Sequence, residues 1–116
     1  MDIYHVWCDL KPGVHDMEFA ESARTYLERL KQDHQLQAYR ITRCKLGFRP
    51  PQLREFHITL EFEDMTQMQS AFDVVSSRTD PVESFHHALN SKVQDIFFAL
   101  YRDFPDANRV RGQEKF

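Results

Sequence analysis

One segment constrains this chain more than any other. In Phe56-His57-Ile58-Thr59-Leu60-Glu61-Phe62-Glu63, an apolar residue recurs at every second position with a polar one between. Side chains alternate sides along an extended backbone, so this is a strand with one apolar and one polar face. Such a strand belongs to a sheet whose core lies on one side only. The opening segment repeats the pattern: Tyr4, Val6, Cys8 and Leu10 point one way and Ile3, His5, Trp7 and Asp9 the other, until Lys11-Pro12-Gly13 stops the strand.

Between these strands the apolar period lengthens to that of a helix. From about Asp16 to about Asp33, Phe19, Ala23, Tyr26, Leu27 and Leu30 form one stripe. Leu36 to Phe48 reads as a long strand of mixed alternation, closed by Gly47 and Pro50-Pro51. Beyond the alternating strand, Asp64 or Thr66 can cap a helix with Gln67 or Gln69 three residues on, and Met68, Ala71, Phe72 and Val75 supply its buried stripe. Asp80-Pro81-Val82-Glu83 starts a third helix, with an Asp cap and Pro at the first helical position. The apolar spacing would carry that helix on to about Tyr101. The aromatic-rich Ile96-Phe97-Phe98-Ala99-Leu100-Tyr101 and the need to cover a sheet edge favour instead a break near Val93 and a last strand over Asp95 to Phe104. The order strand, helix, strand, strand, helix, short helix, strand is that of an α+β, ferredoxin-like βαββαβ fold with an extra short helix before the last strand. Its four-stranded antiparallel sheet carries helices on one face. Residues 1–106 are expected to form a single domain, and residues 107–116, with Arg109, Arg111 and Lys115, a flexible basic C-terminal tail.

Composition excludes several functions. With only three glycines, the chain offers no Gly-rich phosphate cradle of the dinucleotide or nucleoside-triphosphate type. A formal net charge of -3 provides no general attraction to nucleic acid. No apolar run is long enough to cross a bilayer. Cys8 and Cys44 form no CxxC pair, and the start Met1-Asp2-Ile3-Tyr4-His5 is acidic and unlike an export signal. Reduced thiols in a cytoplasm are therefore expected.

In this topology the first and third strands are central neighbours, which places His5 and Trp7 beside His57 and Thr59 on the face without helices. Ile3 and an aromatic row from the last strand, either Phe97 with Tyr101 or Ile96 with Phe98 and Leu100, join them. That much aromatic surface is unusual in a monomer. A second copy packing sheet to sheet would cover it and enclose a partly polar cavity.

The element order resembles the dimeric α/β-barrel superfamily, as do the Phe56-His57-Ile58 strand and the segment from Pro81-Val82-Glu83-Ser84-Phe85-His86-His87 to Leu100-Tyr101-Arg102-Asp103-Phe104-Pro105. The opening Asp2-Ile3-Tyr4-His5-Val6-Trp7-Cys8-Asp9-Leu10, with Tyr39-Arg40 through Lys45-Leu46-Gly47-Phe48, is similar to an uncharacterised family of bacterial proteins within it. The resemblance implies a homodimer that binds a small molecule. Oxygenase-like chemistry without a cofactor, isomerase-like or lyase-like chemistry on an aromatic or polyketide-like compound, and no activity at all are each compatible with it.

The residues themselves nominate His5 and His57 as an acid/base pair facing one cavity, within reach of Glu61. The same two imidazoles would equally serve as hydrogen-bonded fillers of a polar dimer interface. No HxH or HxxxE spacing supports a metal, and no cofactor is called for. Trp7 and Tyr101 offer planar stacking surfaces, which plain interface packing would also use. Thr59, Glu61 and Arg40 are candidate ligand contacts, Arg40 for an anionic group or for a salt bridge to a partner chain. His86 lies on the apolar stripe of the third helix and is either a ligand contact or a satisfied buried histidine. Cys8 reads as a buried, inert thiol, and no serine sits at a strand-to-helix elbow.

Overall fold

The computed structural model describes residues 1–106 and 109–113, so the expected basic tail lies partly outside the described residues, at 107, 108 and 114–116. The elements are β1 (Asp2–Leu10), α1 (Asp16–Gln32), β2 (Ala38–Arg43), β3 (Phe56–Phe62), α2 (Met65–Ser76), α3 (Val82–Asn90) and β4 (Val93–Arg102). They build one antiparallel sheet in the order β2-β3-β1-β4, with all three helices against one face. The α+β ferredoxin-like arrangement is therefore present.

The two alternating segments are the central pair. Tyr4 lies opposite Leu60, Val6 opposite Ile58 and Cys8 opposite Phe56, and these positions face the helices. The α1 stripe is buried as its spacing predicts, with Phe19 fully enclosed and Tyr26, Leu27 and Leu30 beside it. Asp64 caps α2 by accepting a 2.9 Å hydrogen bond from the Gln67 N–H, while Gln67 Oε1 accepts one from the Glu63 N–H at 2.7 Å. The first bond satisfies a backbone donor that a helix start leaves without a partner, and the second ties Gln67 to the residue before the cap.

Three boundaries differ from the sequence expectation. The second strand ends at Arg43 rather than reaching Phe48, because Leu46 and Gly47 take φ of 56° and 71° and turn the chain. Leu46 and Phe48 consequently stand exposed at the tip of the β2–β3 loop. The third helix begins at Val82, because the Asp80 carboxylate accepts from the N–H and hydroxyl of Ser84 instead of capping a helix that starts at Pro81. The last strand begins two residues early, at Val93, and settles the choice between strand and helix.

That strand contains a bulge. Asp9 pairs with Gln94 but Trp7 pairs with Phe97, so β4 holds one extra residue, and Asp95 takes φ of 54° there. The insertion lets Val93 and Ile96 join the core side while Phe97 and Tyr101 face away from the helices. Between central β1 and edge β4, the buried carboxylate of Asp2 accepts from Arg102 Nε at 2.6 Å and so pins the register of the pair.

The nine residues of α3 are the main cover available beside α1 and α2. At the helical rise they span about 13 Å, whereas the ten residues of β4 extend for about 33 Å. Phe98 and Leu100, on the helix side of β4, accordingly remain 57% and 48% exposed. No helix among the described residues is long and apolar enough to cross a membrane.

Phe62 lies wholly inside this core on the best-defined strand. Phe62→Ala should lower the unfolding free energy by about 3–5 kcal/mol, read from urea transitions. A loss within about 0.5 kcal/mol, typical of surface positions, would contradict this placement.

Candidate functional site

The sheet presents two candidate surfaces, one on each face. On the helix-free face the strands align side chains in three rows: Ala38, Glu61, Ile3 and Tyr101; Arg40, Thr59, His5 and Ala99; Thr42, His57, Trp7 and Phe97. Seven of the eight residues singled out by sequence as site candidates thus share one face: His5, Trp7, Arg40, His57, Thr59, Glu61 and Tyr101.

At its centre His5 Nδ1 lies 2.9 Å from His57 Nε2. One ring nitrogen must donate and the other accept, so the contact is lost when both carry a proton. Trp7 lies flat on His57, with ring centroids 4.5 Å apart and an interplanar angle of 1°, and Phe97 stacks on the other side of Trp7 at 5.3 Å. The Tyr101 ring meets His5 edge-on at 5.0 Å. Burial lowers the pKa of both histidines, and for His57 the nearby His5 lowers it further. Glu61, Thr59 and Arg40 sit on the same face, but their side chains make no hydrogen bond to either imidazole among the described residues. No group of three His, Cys, Asp or Glu there could hold a metal ion.

His86, the eighth candidate, lies on the other side of the sheet. It lines a cavity of about 400 Å³ between the sheet and the three helices, together with Tyr4, Tyr26, Phe72, Asn90 and Phe98. Tyr4 packs edge-on against Phe72 at 5.2 Å and stacks with Phe98 at 5.5 Å, and the exposure of both phenylalanines marks the mouth. The rest of the wall is aliphatic, from residues such as Val6, Leu27, Ile58 and Ile96.

Tyr4, Tyr26, His86, Ser76 and Asn90 interrupt this apolar wall. The Tyr4 hydroxyl, the Tyr26 hydroxyl and the His86 imidazole make no hydrogen bond among the described residues. Each keeps some contact with solvent on the open side of the cavity, where water can serve as its partner. Tyr26 and His86 are neighbours, with ring centroids 5.3 Å apart. Burial raises the pKa of both tyrosines, with Tyr4 adding to the shift of Tyr26. Burial also lowers that of His86, against an opposing pull from the Glu83 carboxylate and with a further push from His87. The chamber therefore holds a neutral imidazole beside neutral phenols near pH 7. Cys8, at its floor, is pushed up to about 11 by burial and then by Asp9, and is an inert thiol.

The sequence counts Tyr4 and Tyr26 as core, and both lie in or against the core cluster while also lining this cavity.

The fold is shared with solved structures that are distant in sequence. The Arabidopsis thaliana protein At3g17210 is 11% identical, with a TM-score of 0.68, over 89% of this chain and 95% of that one. SnoaB, a cofactor-independent oxygenase from Streptomyces nogalater, is 8% identical with a TM-score of 0.66 over 93% of this chain and 98% of that one. A dimeric ferredoxin-like protein of unknown function from Jannaschia sp. CCS1 is 15% identical with a TM-score of 0.62 over 89% of this chain and all of that one. Likenesses at such identities establish the fold. No curated protein matches the chain. A family model, described as "Family of unknown function (DUF6614)", matches residues 1–116.

A lowered histidine pKa in the folded state means that the unfolded chain takes up protons first. Stability present above the ordinary value of about 6.5 is then lost as pH falls toward the folded-state values. The urea midpoint should therefore drop between about pH 7 and pH 5. The fluorescence of Trp7, the chain's one tryptophan, should titrate with its stacked His57 at a midpoint below about 6.5 and lose that titration in His57→Ala.

Proposed function

Because the chain belongs to the family of unknown function (DUF6614), which offers no activity to inherit, we propose from the site itself that this protein is a homodimer binding one small, largely apolar molecule in the chamber between sheet and helices. The observation that carries this reading is the convergence of Tyr4, Tyr26 and His86 on a cavity of about 400 Å³ whose wall is otherwise largely apolar. A planar aromatic or polyketide-like compound with one or two oxygens suits it. Its ring would lie against Phe72, Phe98 and the aliphatic wall, and its oxygens would meet the two phenols.

His86, held neutral, can then take a proton from a carbon or hydroxyl acid of the bound molecule, while a tyrosine hydroxyl donates to the oxygen that gains charge. This is proton-transfer chemistry without a cofactor, of isomerase-like or lyase-like kind. Oxygen chemistry of the sort named for SnoaB would begin from the same deprotonated intermediate. Two free cysteines suit a reducing cytoplasm.

The dimer would form through the helix-free face, where Trp7, Phe97 and Tyr101 surround the two histidines. The dimeric Jannaschia protein of the same fold supports a dimer, without indicating its face. A second reading places the chemistry between the two sheets, with His5 and His57 as the acid/base pair and Trp7, Tyr101, Thr59, Glu61 and Arg40 around the ligand. The short contact between the imidazoles favours it.

Light scattering at micromolar concentration should give twice the protomer mass, and Trp7→Asp should reduce it to one; a monomeric wild type would refute the assembly. For the ligand, 2-naphthol serves as a planar probe in titration calorimetry. Tyr26→Phe and His86→Ala should each weaken its binding by about three- to tenfold, with His57→Ala unchanged. Loss of binding in His5→Ala and His57→Ala alone would transfer the site to the open face.

A further inference from the structure

Beside the apolar chamber lies a polar recess of about 320 Å³, lined by Arg78, Glu83 and His87 and sharing Val75, Ser76, His86 and Asn90 with the chamber wall. The two spaces meet at His86, one apolar and one polar. We propose that they form a single elongated site for an amphipathic monocarboxylate, its aromatic or alkyl body in the chamber and its carboxylate against Arg78. This names the substrate class for the chamber and rests on the reading of the chamber as the ligand site.

Arg78 carries the argument in two independent ways. Its guanidinium makes no ion pair or hydrogen bond among the described residues, although the chain has carboxylates to spare. Arg29 pairs with Asp33, Arg43 with Asp16 and Glu55, and Arg102 with Asp2, whereas the exposed Arg78, like Arg24 and Arg40, makes no salt bridge among the described residues. A planar donor fork at the wall of a recess is the side chain that best matches a carboxylate.

The backbone supplies the second observation. Arg78 follows the C-cap of α2 with φ of 54°, and its N–H donates to the Val75 carbonyl at 3.2 Å. That is the helix-ending position glycine fills by preference, since any other side chain strains the left-handed conformation. His34 takes the same conformation at the matching position after α1, with φ of 57°.

Glu83 limits what the recess accepts. Its carboxylate lines the same space, so a single negative charge can pair with Arg78 while a second would face repulsion. A monocarboxylate therefore fits better than a phosphate monoester or a dicarboxylate. Its neutral end would extend past His86 toward Tyr26 and Tyr4.

The test uses a matched pair of probes, 4-phenylbutyrate and the neutral 4-phenylbutanamide, titrated into the full chain by calorimetry. The acid should bind about tenfold more tightly than the amide. Arg78→Gly should erase that preference by weakening the acid, and should raise the melting temperature, because glycine suits the backbone there. Glu83→Gln should strengthen acid binding. Equal binding of acid and amide by the wild type, or a preference that survives in Arg78→Gly, would overturn the proposal while leaving the chamber as the ligand site. Failure of both probes to bind would count against the chamber reading itself.

Discussion

Everything in this structure follows from a mismatch between the two faces of one sheet. Alternation along β1 and β3 commits half of their side chains to each side, yet the chain has helices for only one side. The helix side becomes the core. The other side keeps a tryptophan, two histidines and two further aromatic rings in a layer that is tightly stacked within itself. Rings arranged this way keep part of their own surface from water before any partner arrives. Their hydrogen-bonded imidazole pair then sets the charge of that layer, since it tolerates one shared proton better than two.

The helix side is not filled either. A nine-residue α3 over a ten-residue edge strand leaves space that side chains do not close, and phenols and an imidazole occupy its wall where aliphatic groups would pack more stably. The fold thus gives up stability on both faces, through exposed rings on one and polar groups in a hollow on the other.

Much of this was legible in the residues. The strict alternation from Phe56 to Phe62 assigns faces to β3, and the same pattern in β1 puts His5 and Trp7 beside His57 and Thr59. The face of β4 was not legible, because a one-residue bulge at Asp95 reverses the parity of everything before it, and a bulge has no signature in apolar spacing. The end of β2 was hidden by apolar residues, Leu46 and Phe48, that read as strand but occupy a turn. The chamber was missed for a different reason. Periodicity identifies which side chains turn inward and says nothing about whether the helices above are long enough to meet them. Tyr4 and Tyr26 were correctly turned inward and then taken for filling.

The pairing of β1 has a consequence for how the protein is made. This strand is hydrogen-bonded on one side to β3 and on the other to β4, so its Asp2 sits opposite Phe62 across one ladder and Arg102 across the other. During synthesis the first strand leaves the ribosome long before either neighbour exists. Pairings this distant in sequence close slowly, because the intervening chain must be ordered before the contact repays it. For that interval Tyr4, Val6, Trp7 and Cys8 form an unpaired, aromatic-rich edge. The strand held on both sides in the finished sheet is thus the most vulnerable segment of the nascent one, and Arg102, the partner of its Asp2, lies 100 residues further along the chain.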